Sequence, residues 1–346
     1  MRALVFHGPW DLTVEDRPEP APGPGEVLLD IVATGICGSD LHGYTGETGR
    51  RHPGQVMGHE TVAHVLEDHT GRHPAGSLVT VNPVIGCRQC PACLAGTPQQ
   101  CPDRRVIGVQ PDISAAFAQR MVAPAHNVVP LPPGTPAEIG SLVEPLAVGY
   151  HGVRRAGLTD ADTVLVIGGG PIGQAAALAA RRLGAATIVI LDLDATRRLL
   201  AARQEFTTAD PATQPPTEII ALLGRPATVV VDAAGTTRSL QSAVDCSAQG
   251  ARIALVGMGA PRVELSAYAI STQERSLLGS FSYDEAAFRD TAAWAAEHAT
   301  ELESLVDARV GLTEAPATFR ALADHTLEAA KVLVYPSGPP RQGHAT

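Results

Sequence analysis

The stretch from Thr163 to Asp192 constrains the fold more than any other part of the chain. An apolar run, Thr163–Ile167, leads directly into Gly168-Gly169-Gly170-Pro171-Ile172-Gly173, and an alanine-rich segment, Gln174–Leu183, follows and stops at Gly184. Strand, glycine turn and helix in that order make a βα unit whose glycines permit a sharp turn and let a pyrophosphate approach the helix N-terminus. The N–H groups and dipole there favour an anion. The next strand, Thr187–Leu191, ends in Asp192, nineteen residues past Gly173. That spacing suits the acid that binds the adenosine ribose hydroxyls, which favours NAD over NADP. Asp192 would repel a 2′-phosphate, whereas Arg197 or Arg198 would attract one. The candidate cofactor residues are therefore Gly168, Gly170, Pro171, Ile172, Gly173, Asp192 and Arg197.

Further βα signals support one parallel, doubly wound sheet: Thr228–Val231, Arg252–Val256 and Ser276–Leu278 each read as a strand running into small residues. Upstream the pattern differs. Short β runs at Arg2–Phe6, Val27–Thr34, Phe117–Val122 and Asn127–Val129 are punctuated by Pro and Gly, and Ala137–Ala156 reads as helix. At 346 residues the chain is long for one core. The expectation is an α/β protein of two domains: a mainly-β domain over residues 1–150, a dinucleotide domain over 151–283, and a return of 284–346 to the first lobe through the strand Lys331–Tyr335. A Pro/Gly-rich tail from Pro336 reads as loose.

Cysteine usage points to metal. Cys87-x2-Cys90-x2-Cys93-x7-Cys101 offers four thiolates on one short loop, residues 86–102, a closed tetrahedral set that suits a structural zinc. Disulfides are the alternative, but the close spacing in a large, intracellular-looking chain favours metal. Cys246 reads as a buried small hydrophobe.

A second constellation is Cys37, Gly58-His59-Glu60 and Glu144. Thiolate, imidazole and carboxylate are the side chains that bind zinc, and a catalytic site uses three of them and leaves a position open. Taken singly, His59 is a satisfied loop histidine, Cys37 a buried thiol and Glu144 an ordinary helix acid. The four-cysteine loop and the glycine fingerprint favour one catalytic zinc site. Because successive strand residues face opposite ways, His59 and Glu60 reach one metal only if the backbone there is not regular strand. Glu60 is thus either a direct ligand or a group that touches one. Ser39 and His42 suit a hydroxyl-to-imidazole proton relay; the bland alternative is a turn cap and a solvated histidine. Arg50, Arg51 and His52 read as a positive surface loop able to meet an anionic substrate group.

The formal net charge of −10 argues against nucleic-acid and anionic-membrane partners, which need a basic face. No apolar run approaches the length of a membrane span, and residues 1–8 lack a secretory h-region, so a cytoplasmic protein is expected.

With GICGSDLH at 35–42, GHE at 58–60, the four-cysteine loop, EPLAVGYH at 144–151 and GGGPIG at 168–173, the chain resembles the zinc-containing medium-chain alcohol dehydrogenases, in the sorbitol, threonine and butanediol dehydrogenase branch. The resemblance implies a GroES-like catalytic domain interrupted by a Rossmann domain, and two zinc ions per chain. By position it implies Cys37 and His59 as ligands, Glu60 as a third ligand or one that exchanges with water, and Glu144 as a ligand or a group orienting the bound water. Ser39 and His42 fall on the family's relay. It further implies hydride transfer between a small secondary alcohol and NAD, in a homodimer or homotetramer. The alternatives are a threonine-type amino-alcohol dehydrogenase and a catalytically silent NAD(P)H-binding relative. Polyol dehydrogenases of this branch tend to carry an arginine between an aromatic residue and a tyrosine; here the stretch reads Phe281-Ser282-Tyr283. The glycine-rich approach to Phe117 is also altered, to Asp112-Ile113-Ser114-Ala115-Ala116.

Overall fold

The structure is a computed structural model that describes residues 1–327 and 329–339. It divides into two compact units, residues 1–144 with 288–346, and residues 145–287. Most of the tail expected to be loose lies outside the described residues.

In the first unit the strand Glu26–Gly35 is central. Alternate residues Val27, Leu29, Ile31 and Ala33 are buried, the period-2 pattern of a strand with one face on a core. Val27, Leu29 and Ile31 pack with Val65, Val79, Val81 and Met121, each contributing about 1.5–3 kcal/mol by leaving water. Glu26–Gly35 pairs antiparallel with Glu60–Asp68 and, along its other edge, with Arg120–Pro124 and Val332–Tyr335. Val332–Tyr335 pairs in turn, in parallel, with Ala308–Gly311. Segment 308–335 therefore completes the sheet begun near the N-terminus. Around residue 117 the expectation needs correction: the strand is Arg120–Pro124, while Phe117 is fully buried and stacks edge-on against Phe319 at 5.4 Å.

The helix Ala137–Arg155 carries Pro145 inside it, and the division between units falls at Glu144-Pro145. The second unit is a six-stranded parallel sheet. Its strands in chain order are Thr163–Ile167, Thr187–Leu191, Thr207–Ala209, Ala227–Asp232, Ser247–Leu255 and Ser276–Gly279. They lie in the order third, second, first, fourth, fifth, sixth, the doubly wound arrangement whose switch point receives a dinucleotide. Thr163–Ile167 is buried throughout, as a strand covered on both faces must be.

Candidate active site

The candidate metal-binding donors sit where the backbone leaves regular strand, at a helix start for Cys37 and after a left-handed glycine for His59 and Glu60. Cys37 ends the central strand's exit and caps the short helix Gly38–Tyr44, its backbone N–H donating to Oδ2 of Asp40 at 3.2 Å. Gly58, at φ +97°, adopts a left-handed conformation with no room for a Cβ, which would meet the Phe117 amide nitrogen at 2.9 Å. The regular strand begins only at Glu60. This turn lets His59 and Glu60 face one point: donor atoms of Cys37, His59 and Glu60 all lie within 4.8 Å of one another. Glu144 is buried but stands outside that trio.

Two buried residues that sequence reasoning passed over complete the surroundings. Asp40 is fully buried, with Oδ1 3.6 Å from Nδ1 of His59 and 3.6 Å from the Arg51 guanidinium. Burial alone would raise its pKa, but the charges of His59 and Arg51 and the Cys37 amide hold it below the ordinary carboxylate range. For His59, burial pulls the other way, yet the Asp40 carboxylate and then Cys37 hold its pKa well above the usual imidazole value. A carboxylate behind an imidazole fixes the ring and makes it a stronger metal donor. Arg51 is thus not a surface cation: its side chain is buried against Asp40 and donates to the Ser39 carbonyl at 3.3 Å, and Gly43 leaves the room it needs.

The second residue is Lys331. Buried at the entry to the strand Val332–Tyr335, its Nζ donates to both carboxylate oxygens of Glu60, at 2.7 and 2.5 Å. Burial lowers its pKa, but Glu60, Cys37 and Glu144 outweigh that and raise it. The ion pair joins residues 271 positions apart, which explains why spacing did not disclose it.

The residues fit a metal by more than residue type. A Cβ on Gly35 would stand 1.9 Å from Oε2 of Glu60, so that position is open only because residue 35 is glycine. Nδ1 of His59 faces Oδ1 of Asp40, which leaves Nε2 as the ring nitrogen that Asp40 does not engage. Ser39 and His42 lie three residues apart on the same helix, hence on one face, with Ser39 half-buried and Nδ1 of His42 2.6 Å from Glu47 at the exposed end.

The four-cysteine loop gathers as expected: its sulfurs lie within 4.8 Å of one another, and all are free thiols, which removes the disulfide alternative. A Cβ on Gly86 would meet Sγ of Cys93 at 2.5 Å. Backbone amides of Gln89 and Cys90 draw the Cys87 thiol down to about 7, while burial and the neighbouring thiols push Cys93 up to about 12. Cys246 is buried as expected, its pKa raised to about 11 by burial.

In the second unit, Gly170 caps the helix Pro171–Arg182 with no side-chain cap, and Pro171 occupies the first turn. Gly173 allows the helix onto the strand end, since a Cβ there would stand 1.6 Å from the Gly168 carbonyl oxygen. Asp192 accepts from the Gly169 N–H at 2.6 Å and the Asp194 N–H at 2.8 Å. Arg197 reaches Asp192 at 3.8 Å; Arg198 donates to the carbonyls of Asp192 and Leu193 and pairs with Asp210. Ser282 takes φ +49° between half-exposed Phe281 and fully buried Tyr283.

Comparison with known proteins identifies the family. Residues 23–133 match the alcohol dehydrogenase GroES-like domain and residues 171–297 the zinc-binding dehydrogenase family. The chain is 30% identical to sorbitol dehydrogenase of Bacillus subtilis (strain 168) over 347 residues, covering 97% of this chain and 98% of that one. Among solved structures, a putative zinc-binding dehydrogenase from Sinorhizobium meliloti 1021 bound to NADP is 30% identical with TM-score 0.87, covering 97% of this chain and 99% of that one. An alcohol dehydrogenase from Escherichia coli CFT073 complexed with NADH is 26% identical with TM-score 0.89 and the same coverage. The chain belongs to the zinc-binding alcohol dehydrogenase family, oxidoreductases acting on CH–OH groups.

Proposed function

We propose that the protein interconverts a secondary alcohol of a polyol, sugar or cyclitol with the corresponding ketone, using NAD and a catalytic zinc. The observation that carries this is the convergence of the Cys37, His59 and Glu60 donors within 4.8 Å of one another. Zinc held there would supply Lewis acidity toward an alcohol oxygen, and bound NAD would supply the hydride acceptor.

The chain's own residues do the rest. Cys37 and His59 hold the metal, Asp40 fixes the imidazole, and Glu60 or Glu144 provides a carboxylate. Ser39 takes up the hydroxyl proton as its own passes to the imidazole of His42, which in turn releases one toward solvent beside Glu47. The alcohol carbon loses hydride and the oxygen loses a proton, which balances the oxidation to ketone. Cys87, Cys90, Cys93 and Cys101 hold a structural zinc in the closed sulfur set. Asp192 receives the adenosine ribose, its charge disfavouring a 2′-phosphate, while the glycines 168, 170 and 173, Pro171 and Ile172 receive the pyrophosphate. Arg197 sits at the same edge. Without an arginine at residue 282, cyclic polyols, modified sugars and simpler secondary alcohols are favoured over a linear sorbitol-like chain.

A homodimer or homotetramer is supported by the sheet edge Ser276–Gly279, where Leu277 is exposed in a strand open along one side. Among the described residues no helix is long and apolar enough to cross a membrane, and a cytoplasmic location accords with the many free thiols.

The test is nicotinamide reduction with NAD⁺ and NADP⁺ side by side against secondary alcohols, linear and cyclic polyols, sugars and threonine. NAD⁺-dependent oxidation of a polyol or sugar that a chelator abolishes is the expected result. Turnover confined to threonine would move the assignment to the amino-alcohol branch. Protein that binds only one zinc and oxidises nothing would overturn it in favour of a silent relative.

A further inference from the structure

Lys331 stands where an ammonium group is least expected in a cation site. Its Nζ is buried, donates to both oxygens of Glu60 and also contacts the Ile36 carbonyl at 3.4 Å. It is placed there by the fold: Oδ2 of Asp307 accepts the backbone N–H groups of Ala330 and Lys331 at 2.5 and 2.9 Å, fixing the entry to the strand Val332–Tyr335. Glu60 has little freedom to move away, because its Oε2 lies against the bare Cα of Gly35. The carboxylate that belongs to the donor cluster is therefore the one the ammonium holds.

Resting on the reading of Cys37, His59 and Glu60 as a metal site, we propose that Lys331 is a positioning residue that competes with the metal for the Glu60 carboxylate. Both oxygens are engaged by one cation, so each contact Glu60 makes to a metal weakens a contact it makes to Lys331. The ammonium and a dication also repel each other across the shared carboxylate. Besides Glu60, Cys37 and Glu144 contribute to the field at this lysine; with a dication bound and Cys37 deprotonated on it, one thiolate and two carboxylates would balance one ammonium plus one dication. Removal of the ammonium leaves an excess of negative charge that draws the metal in.

The proposal predicts an unusual direction of change: deleting a buried ion-pair partner should make the metal harder to remove. In cobalt-substituted holoenzyme, Lys331→Met should slow loss of the catalytic ion to a chelator by about tenfold and alter the cobalt d–d absorption. Adding Glu60→Gln to Lys331→Met should cancel that gain, because the donor released by the first change is gone. Lys331→Gln, whose amide still donates to Glu60, should lie between wild type and Lys331→Met, and it serves if Lys331→Met fails to fold. Metal loss that is unchanged or faster in Lys331→Gln and Lys331→Met would overturn the proposal, since a merely structural lysine loosens the site when removed. Cys37→Ser separates the underlying reading: it should lose one cobalt and keep the sulfur-bound one. If it keeps both, the site assignment fails, independently of Lys331.

Discussion

The backbone N–H of Gly169 donates to Oδ2 of Asp192 at 2.6 Å, so the acid that closes the second strand of the cofactor unit is tied to the glycine turn after the first. One carboxylate thereby shapes the loop, and in the proposed reading it also sets the charge that a ribose or its phosphate meets. Asp192→Ala should weaken NAD binding by about ten- to a hundredfold, the worth of hydrogen bonds to a charged group, and weaken NADP less. Fluorescence titration with both reduced cofactors checks this; an unchanged ratio would mean the ribose is held elsewhere.

Cys37 and the glycine fingerprint belong to different units. Cys37→Ala should therefore abolish alcohol oxidation while leaving NADH binding nearly intact. Steady-state rates alongside cofactor titration separate the two, and a parallel loss of NADH affinity would count against this division of labour.

Gly35 is a site residue without a functional group. Gly35→Ala would drive a Cβ into Oε2 of Glu60 and displace that carboxylate by an ångström or more. A kcat loss of about 10²-fold is expected, the usual cost of such a misplacement, with the structural zinc retained. Metal analysis and kcat together provide the check.

Asp162 supports stability in a defined pH range. Burial would raise its pKa, but the Thr228 hydroxyl, the Thr159 amide and Arg252 lower it to about 2. A carboxylate with a depressed native pKa stabilises the fold above its unfolded pKa, and that contribution disappears as pH falls through the native value. Asp162→Asn should cost about 1–2 kcal/mol near neutrality, with the gap to wild type closing between about pH 4 and 2. Urea unfolding across that range measures it.

Local patterns carried much of the fold. The strands Thr163–Ile167 and Thr187–Leu191 fall on the residues their apolar runs mark, because a doubly covered strand has nothing polar to blur its ends. The cysteine loop was readable for a similar reason: all four donors lie within fifteen residues. His59 and Glu60 were legible as a pair, and the turn at Gly58 supplies the irregular backbone that their adjacency demands. Asp40 and Lys331 escaped notice because each is defined by what it meets across the fold rather than by its neighbours in the chain. Arg51 misled for the converse reason. Its Gly-rich surroundings look like surface loop, yet a partner outside that loop, Asp40, draws it inside.

The strand Val332–Tyr335 lies along the Glu26–Gly35 edge, beside residues made more than two hundred and ninety positions earlier. During synthesis, residues 145–287 emerge as an uninterrupted stretch able to fold while the earlier unit still waits for two strands. Until Lys331 leaves the ribosome, Glu60 lacks its lysine partner, and the edge of Glu26–Gly35 that Val332–Tyr335 will cover lies open. Competence to oxidise an alcohol is therefore acquired late in translation, after the nucleotide-binding half is already made, and a message cut short before codon 331 yields a chain that lacks the lysine partner of Glu60.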